Sequence, residues 1–396
     1  MSSDVVRVGM VGYAFMGAAH AQAWRNAPRF FDLPTRPELT AIAGRNPRAV
    51  GAAAARLGFD SIETDWQALV ARDDIDLIDV CTPGDSHAEI AIAALQAGKH
   101  VLCEKPLANT VREAETMAAA ARAEAANGVW AMCGFTYRRT PALALARRLV
   151  EAGRVGKVRQ VRAQYLQDWL HDPDTPMTWR LDKSRSGSGA LGDLGAHLID
   201  TTQWLTGQNI TGVSAILETF VTSRPLSGER SGLGGHGDTT AGASRGKVTV
   251  DDAALFTARF ADGAVGTFEA TRFALGRKNA LRIEINGTRG SLAFDFEENN
   301  LLHFFDGTQP IEEQGFRRIL ATEPEHPYVR AWWPPGHGLG YEHGFTHQVV
   351  DLVTAIAENR QPAPSFDDGL QVQRVLSAVE DSATHDSAWT AVSVSR

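Results

Sequence analysis

The sequence predicts an α/β chain of two domains: an N-terminal doubly wound parallel sheet, then an α+β domain with an open, mainly antiparallel sheet. Three observations carry this. The chain has 396 residues, more than one typical core organises. Its first third alternates short apolar strands with helical segments across short loops. Beyond Pro141, strand-like runs follow one another with turn dipeptides between them. The expected domains are 1–136 and 137–396, the C-terminal helices being free to pack back on the first.

The elements follow in order. Val5–Val11 is a β-branched run, and Gly17 to about Asn26 reads as a helix. Leu39–Ala43 is a second strand, and Arg48–Leu57 is an alanine-rich helix closed by Gly58. Thr64-Asp-Trp-Gln67 and Ser86-His-Ala-Glu89 read as capping boxes, each opening a helix, the second ending at Gly98. Ile75–Val80 is a buried strand between them, and His100–Cys103 follows. Thr110-Val-Arg-Glu113 is a third box, and Trp130–Phe135 completes the series.

In the second domain a helix over Leu143–Ala152 leads to a strand over Val158–Tyr165 and a helix over Gly189–Leu205. Strands are expected over Val213–Phe220, Ala253–Phe260, Ala264–Ala270, Leu281–Asn286 and Ser291–Phe296. Asp262-Gly263 and Asn286-Gly287 read as hairpin turns. Ser223–Lys247, rich in Gly, Ser and Thr, reads as an exposed loop. Helices over Phe345–Glu358 and Asp368–Ser382 close the chain.

Composition narrows the function classes. Hydrophobic residues make up 43% and charged residues 22%, the balance of an ordinary globular protein. The net charge is −8 with no basic cluster, so nucleic acid is not an expected partner. Three widely spaced cysteines argue against a disulfide framework and for a reducing, cytoplasmic setting. No signal-peptide pattern precedes Val5 and no run of about 20 apolar residues occurs, so no membrane association is expected.

Gly12-Tyr-Ala-Phe-Met-Gly17 follows the first strand and opens the first helix. Gly12 permits a tight turn, the small Ala14 lets backbone approach a pyrophosphate, and Gly17 lets helix pack on strand. Phe15 and Met16 stand at the helix N-terminus, whose amides attract phosphate. In a βαβ setting this reads as a dinucleotide loop; the alternative is a tight turn without a ligand. Strand two ends in Ala43-Gly44-Arg45-Asn46, where an NAD site carries an acid for the ribose. No acid is present, and Arg45 suits a 2′-phosphate, so these residues favour NADP; otherwise Arg45 is a solvated loop charge.

Glu104-Lys105-Pro106 ends another parallel strand, at the edge where such sheets bind ligands. Pro106 keeps Lys105 out of helical geometry. In "GALGDLGAHLID" Asp193, His197 and Asp200 share one helix face. That face serves a metal, acid–base chemistry or structure; spacing alone does not choose.

The loop Gly12–Gly17 with His20, "CTPGDSHAEIAIAALQAGKHVLCEKPLA", "GFTYRRTPA" and "GALGDLGAHLID" together resemble the Gfo/Idh/MocA family, the glucose–fructose oxidoreductase and inositol dehydrogenase group. The resemblance spans essentially the whole chain. It implies an N-terminal Rossmann domain for NAD(P) and a C-terminal domain that forms the substrate pocket and, through its sheet, a homodimer or homotetramer. It places the catalytic set on Lys105, Asp193 and His197. It implies cofactor contacts at Gly12, Ala14, Phe15, Met16, Gly17, Gly44, Arg45, Thr82, Pro83, His87, Glu104 and Lys105. "YLQDW" (Tyr165–Trp169) and "TWR" (Thr178–Arg180) look most like the levoglucosan and inositol dehydrogenase type, which implies NAD rather than NADP.

The residue chemistry agrees with an alcohol oxidation. Histidine is the natural base for a hydroxyl proton near neutral pH. A lysine ammonium stabilises developing alkoxide charge on that oxygen. His197 is thus read as the base, Lys105 as the polarising cation and Asp193 as a partner for substrate or His197. Tyr137, Gln167, Asp168, Trp169, Trp179 and Arg180, with Lys105, Asp193 and His197, are the candidate contacts to a sugar or cyclitol. Asp200 reads as structural support, paired to backbone or an arginine. His337, Glu342, His343 and His347 form a rival, zinc-like constellation, but no third ligand is fixed by spacing, so no metal is expected. Two other readings stay open: a family member with no net redox and a retained, recycled cofactor, and a sugar- or nucleotide-sensing binding protein.

Overall fold

The computed structural model describes residues 5–226 and 244–393, and the chain divides into two compact units. The first comprises Met1–Thr136 and Tyr341–Gln373, the second Tyr137–Gly340 and Arg374–Arg396.

In the first unit six parallel strands, β1 (Val5–Val11), β2 (Arg36–Ala43), β3 (Ser61–Glu63), β4 (Leu77–Val80), β5 (His100–Cys103) and β6 (Ala131–Cys133), lie in the order β3-β2-β1-β4-β5-β6. Strand order reverses between β1 and β4, and doubly wound sheets bind ligands outside the carboxyl ends of their strands at such a switch point. Helices α1 (Phe15–Phe30), α2 (Pro47–Leu57), α3 (Trp66–Val70), α4 (His87–Gln96) and α5 (Val111–Ala125) link the strands. The helix α1 runs past Pro28, beyond its expected end. Proline there takes away the one amide that would serve the Trp24 carbonyl, and the helix continues for only two more residues. The helix Tyr341–Ala357 belongs to this unit. It packs Phe345, Val349, Leu352 and Val353 into one core with Trp24 and Ala27.

Only one of the three expected capping boxes forms as read. Thr110 and Glu113 bond reciprocally. Asp65, not Thr64, caps α3, accepting from Gln67 N at 3.0 Å. Ser86 makes no cap bond, because its Oγ donates instead to Thr82 Oγ1 at 2.7 Å.

The second unit holds β7 (Val158–Leu166), β8 (Ile210–Glu218), β9 (Ser223–Pro225), β10 (Arg245–Lys247), β11 (Ala253–Phe260), β12 (Val265–Thr271), β13 (Ala280–Gly287), β14 (Gly290–Asp295), β15 (Leu301–Asp306), β16 (Phe316–Leu320) and β17 (Thr390–Ala391). Nine of these form one sheet in the order β16-β15-β14-β13-β7-β12-β11-β8-β17. β7 and β12 run parallel, and every other pair is antiparallel, so the sheet is mixed. The middle of β7 alternates: Val161, Ala163 and Tyr165 are buried, while Arg162 and Gln164 point to the other, open face.

Two loop expectations change. Asn286 is paired with Ser291, so the β13–β14 turn falls on Thr288-Arg289 rather than Asn286-Gly287. The ends of Ser223–Lys247 are not loop but the antiparallel ribbon β9–β10; residues 227–243 lie outside the described residues. Among the described residues no helix is long and apolar enough to cross a membrane.

Candidate active site

The nucleotide edge of the first unit is built by strands that stop together. Gly12 follows β1, Gly44 follows β2, Thr82 and Pro83 lie just beyond β4, and Glu104 follows β5. Gly12 has φ +100°, and a Cβ there would lie 2.7 Å from the Cys81 carbonyl oxygen. A Cβ on Gly17 would lie 2.3 Å from the Gly12 carbonyl oxygen, so the turn exists only with glycine at both positions. Ala14, at the start of α1, offers no side-chain cap, which leaves the helix amides at Phe15 and Met16 facing outward for an anion. The cradle fits a dinucleotide. At Gly44 a Cβ would meet Tyr13 Cε1 at 2.1 Å, so this ring covers the place where an acidic side chain would start. Arg45 is exposed beside it, and Asn46 caps α2 through Ala49 N at 3.1 Å.

Behind this edge lies a buried ionic cluster that sequence spacing does not show. His20 is 1% exposed and bridges two carboxylates. Its Nδ1 is 2.9 Å from Asp79 Oδ1, and its Nε2 is 2.9 Å from Glu104 Oε1. Trp24 Nε1 donates to Asp79 at 2.7 Å, and the Cys81 thiol donates to it at 3.4 Å. Burial alone would lower the His20 pKa; the Asp79 carboxylate and the neighbouring Cys81 outweigh it and hold the ring well above its ordinary value. The other Glu104 oxygen accepts from Lys105 N at 3.1 Å. His87, read from the family as a cofactor contact, is buried. Its Nδ1 lies 3.0 Å from the Pro106 carbonyl and its Nε2 2.9 Å from the Thr82 carbonyl. Glu104-Lys105-Pro106 is therefore braced by a histidine on each side, while Lys105 itself is half-buried.

His20, Asp79 and Cys81 are the one group of metal-ligand type within reach of one another among the described residues, and they satisfy each other by hydrogen bonds. Within the first unit Glu342, His343 and His347 form no such group among the described residues. His343 pairs with Glu342 at 3.4 Å, and His347 is buried edge-on to Phe31. His337 faces the Pro334 carbonyl.

In the second unit the Asp193–His197 segment is not a plain helix. Leu191–Gly195 is a π-turn, and a regular helix follows over Ala196–Thr206. π-turns of this kind concentrate at functional sites. Asp251 sets the turn up: its carboxylate oxygens accept from Gly189 N and Leu191 N, both at 2.7 Å. Four residues remain close to one turn in either geometry, so Asp193 and His197 stay neighbours. Asp200, 1% exposed, leaves the group and takes a bidentate pair from Arg138, with Nε at 2.9 Å.

Two tyrosine rings pack on His197, and a hydrogen-bonded chain of Asn279, Gln167 and Trp169 continues from them. The Tyr137 ring sits edge-on to His197 at 4.6 Å, and Tyr165 lies at 5.9 Å. Tyr137 OH and Tyr165 OH are 2.6 Å apart, and Tyr165 OH donates to Asn279 Oδ1 at 2.7 Å. Gln167 Nε2 donates to the same oxygen at 2.9 Å, and Trp169 Nε1 donates to Gln167 Oε1 at 2.9 Å. Burial pushes the Tyr137 phenol up to about 12. Arg180 stacks on Trp179 at 4.5 Å; burial pulls its pKa down, opposed by the Asp193 charge. Asp168 stands apart from the other candidates. Its Oδ2 accepts from Lys278 Nζ at 2.7 Å and Gly276 N at 3.0 Å, and so anchors the loop before β13. Sequence reading missed Asn279, Asp251 and Arg272, and gave no role to His20 or Asp79. The one available signal was an aspartate inside the otherwise apolar strand LIDV.

A glycine-turn nucleotide unit, joined in one chain to a mixed sheet that carries a histidine–carboxylate turn walled by aromatics and amides, defines a dinucleotide-dependent oxidoreductase. Residues 6–131 match the NAD-binding Rossmann fold of an oxidoreductase family, and residues 143–293 match the GFO/IDH/MocA C-terminal domain. The chain belongs to the Gfo/Idh/MocA family. It is 42% identical to the levoglucosan dehydrogenase of Pseudarthrobacter phenanthrenivorans over 98% of each chain. A crystal structure of an oxidoreductase domain protein from Kribbella flavida superposes with a TM-score of 0.94 at 66% identity, covering 99% of this chain and 100% of that one. A levoglucosan dehydrogenase in complex with NADH and levoglucosan superposes with a TM-score of 0.91 at 40% identity, covering 98% and 100%.

Proposed function

We propose that the protein oxidises a secondary hydroxyl of a sugar, a levoglucosan-like anhydro-sugar or a cyclitol to the ketone, with NAD as hydride acceptor. The observation that carries this is the Asp193–His197 turn set in a wall of Tyr137, Gln167 and Trp169, since rings pack on sugar C–H faces and amides read hydroxyls. The relatives named for levoglucosan support the substrate class. Gly12, Ala14, Phe15, Met16 and Gly17 would hold the pyrophosphate, with Gly44, Arg45, Thr82 and Pro83 along the same edge. When bound, the nicotinamide supplies the site that takes the hydride. His197 takes the hydroxyl proton on its imidazole. The Lys105 ammonium polarises the same oxygen, its backbone braced by Glu104 and His87. Asp193 holds an adjacent hydroxyl, and Arg180 and Trp179 line the site beyond it.

Gly44 and Arg45 support tolerance of NADP, while the NADH-bound relative supports NAD as the main cofactor. Arg45→Ala should lower kcat/KM with NADP by about tenfold and leave NAD within about twofold, because an arginine reads the 2′-phosphate alone. Initial rates with both cofactors check this, and an equal loss with both would remove the argument.

The open face of the nine-stranded sheet, with Ile216 and Leu255 exposed, supports a homodimer or homotetramer through that face. The three cysteines, all buried and without a disulfide, support a reducing, cytoplasmic setting. The test of function is turnover of levoglucosan, inositols and glucose with NAD. Folded protein that binds NAD and oxidises none of them, nor any related pyranose, would contradict the proposal.

A further inference from the structure

We propose that Arg272 is a positioning residue that ties Asp193 to the Trp169 wall, so that one buried guanidinium governs both rate and sugar fit; this rests on the function proposed above. Arg272 follows β12 and is 1% exposed. A charge so buried is costly unless carboxylates balance it. Its hydrogen bonding does not explain it: Nη2 donates to the Asp251 carbonyl at 3.1 Å, and Nε has no hydrogen-bond partner. The balance comes from acids. Nη1 lies 3.9 Å from Asp193 Oδ2, and the guanidinium also acts on buried Asp252. At 3.9 Å the pair is beyond hydrogen-bond range, so Arg272 orients the Asp193 carboxylate by charge without donating a hydrogen bond to it.

The same guanidinium lies over the Trp169 ring at 5.6 Å. From Trp169 the hydrogen bonds run through Gln167, Asn279 and Tyr165 to Tyr137, whose ring packs on His197. His197 returns to Asp193 along its own turn. The contacts close a circuit, and Arg272 is the link between its catalytic carboxylate and its aromatic wall. Asp251 locks that link in place. Its carboxylate pins the start of the π-turn while its carbonyl takes Arg272. A Cβ on Gly189 would lie 1.8 Å from that carbonyl oxygen and 2.8 Å from Arg272 Nη2, so glycine there makes room for both.

The test compares Arg272→Met and Arg272→Lys by steady-state kinetics with the best wild-type sugar, alongside a crystal structure of the lysine variant. The methionine variant should raise KM and lower kcat, each by about tenfold, since small misplacements at a reacting centre cost that much or more. Lysine restores the charge but not the broad guanidinium over the ring, so kcat should return to within about threefold while KM stays raised. Its structure should show Asp193 in place and the Trp169 ring moved. Unchanged kcat and KM in the methionine variant, or lysine restoring both or neither, would overturn the proposal. Should the methionine variant not fold, the lysine split decides. Should the wild type oxidise no sugar, the functional proposal fails by itself, and an unmoved Trp169 ring in the lysine structure would overturn this one separately.

Discussion

His197→Ala should lower kcat by about 10²–10⁴-fold, the usual range for removing a general base, while leaving NADH affinity within about twofold. The asymmetry follows from the architecture. The nucleotide cradle is made by Gly12, Gly17 and the start of α1 in the first unit, and His197 belongs to the second. Tyr137 cannot stand in as base near neutral pH, because burial holds its phenol up at about 12. Stopped-flow or steady-state rates, with a fluorescence titration of NADH, measure the two quantities. Turnover within about tenfold of wild type would take the base assignment away from His197.

His20→Ala should be the most damaging substitution for the fold. It strips one side from two buried carboxylates, Asp79 and Glu104, and breaking a buried pair in this way costs about 3–5 kcal/mol. The loss carries a pH signature. The folded pKa of His20 lies well above 6.5, so its stabilising contribution is complete below 6.5 and fades as pH rises through the raised value. The groups around the ring are Asp79, Cys81 and Glu104, with Phe345 packed on its face. The gap between the thermal melts of wild type and variant should therefore narrow as pH rises through the raised value. A gap that stays constant, or a variant as stable as wild type, would mean that the ring is not held charged between the acids. Lys105 should feel the same change, since Glu104 holds its backbone amide.

The parallel half was legible because each signal is local. A glycine turn, an alternating run and a capping box act within a few residues, and β1 and β5 fall where their apolar runs do. β15, β16 and β17 were not legible. β16, FRRIL, is an edge strand with four of its five residues exposed, so it has no buried face to print a pattern. The π-turn was hidden because a spacing of four suits it as well as an α-helix. The ionic cluster was hidden for a different reason: His20 meets Asp79 and Glu104 across 59 and 84 residues, and no spacing rule spans that distance. Arg272 reaches Asp193 and Trp169 in the same long-range way. Asp168 misled because its neighbours, Gln167 and Trp169, do line the wall, while its own side chain turns to Lys278.

Net oxidation of the sugar requires that hydride leave its carbinol carbon for the nicotinamide. The direct measurement uses the preferred sugar deuterated at the reacting carbinol carbon, with NAD and the full chain, and follows the label by NMR. One deuterium should appear on the nicotinamide of the released NADH for each ketone formed. Deuterium that stays with the sugar product, with no NADH accumulating, would contradict it and assign the chain to the cofactor-recycling reactions instead.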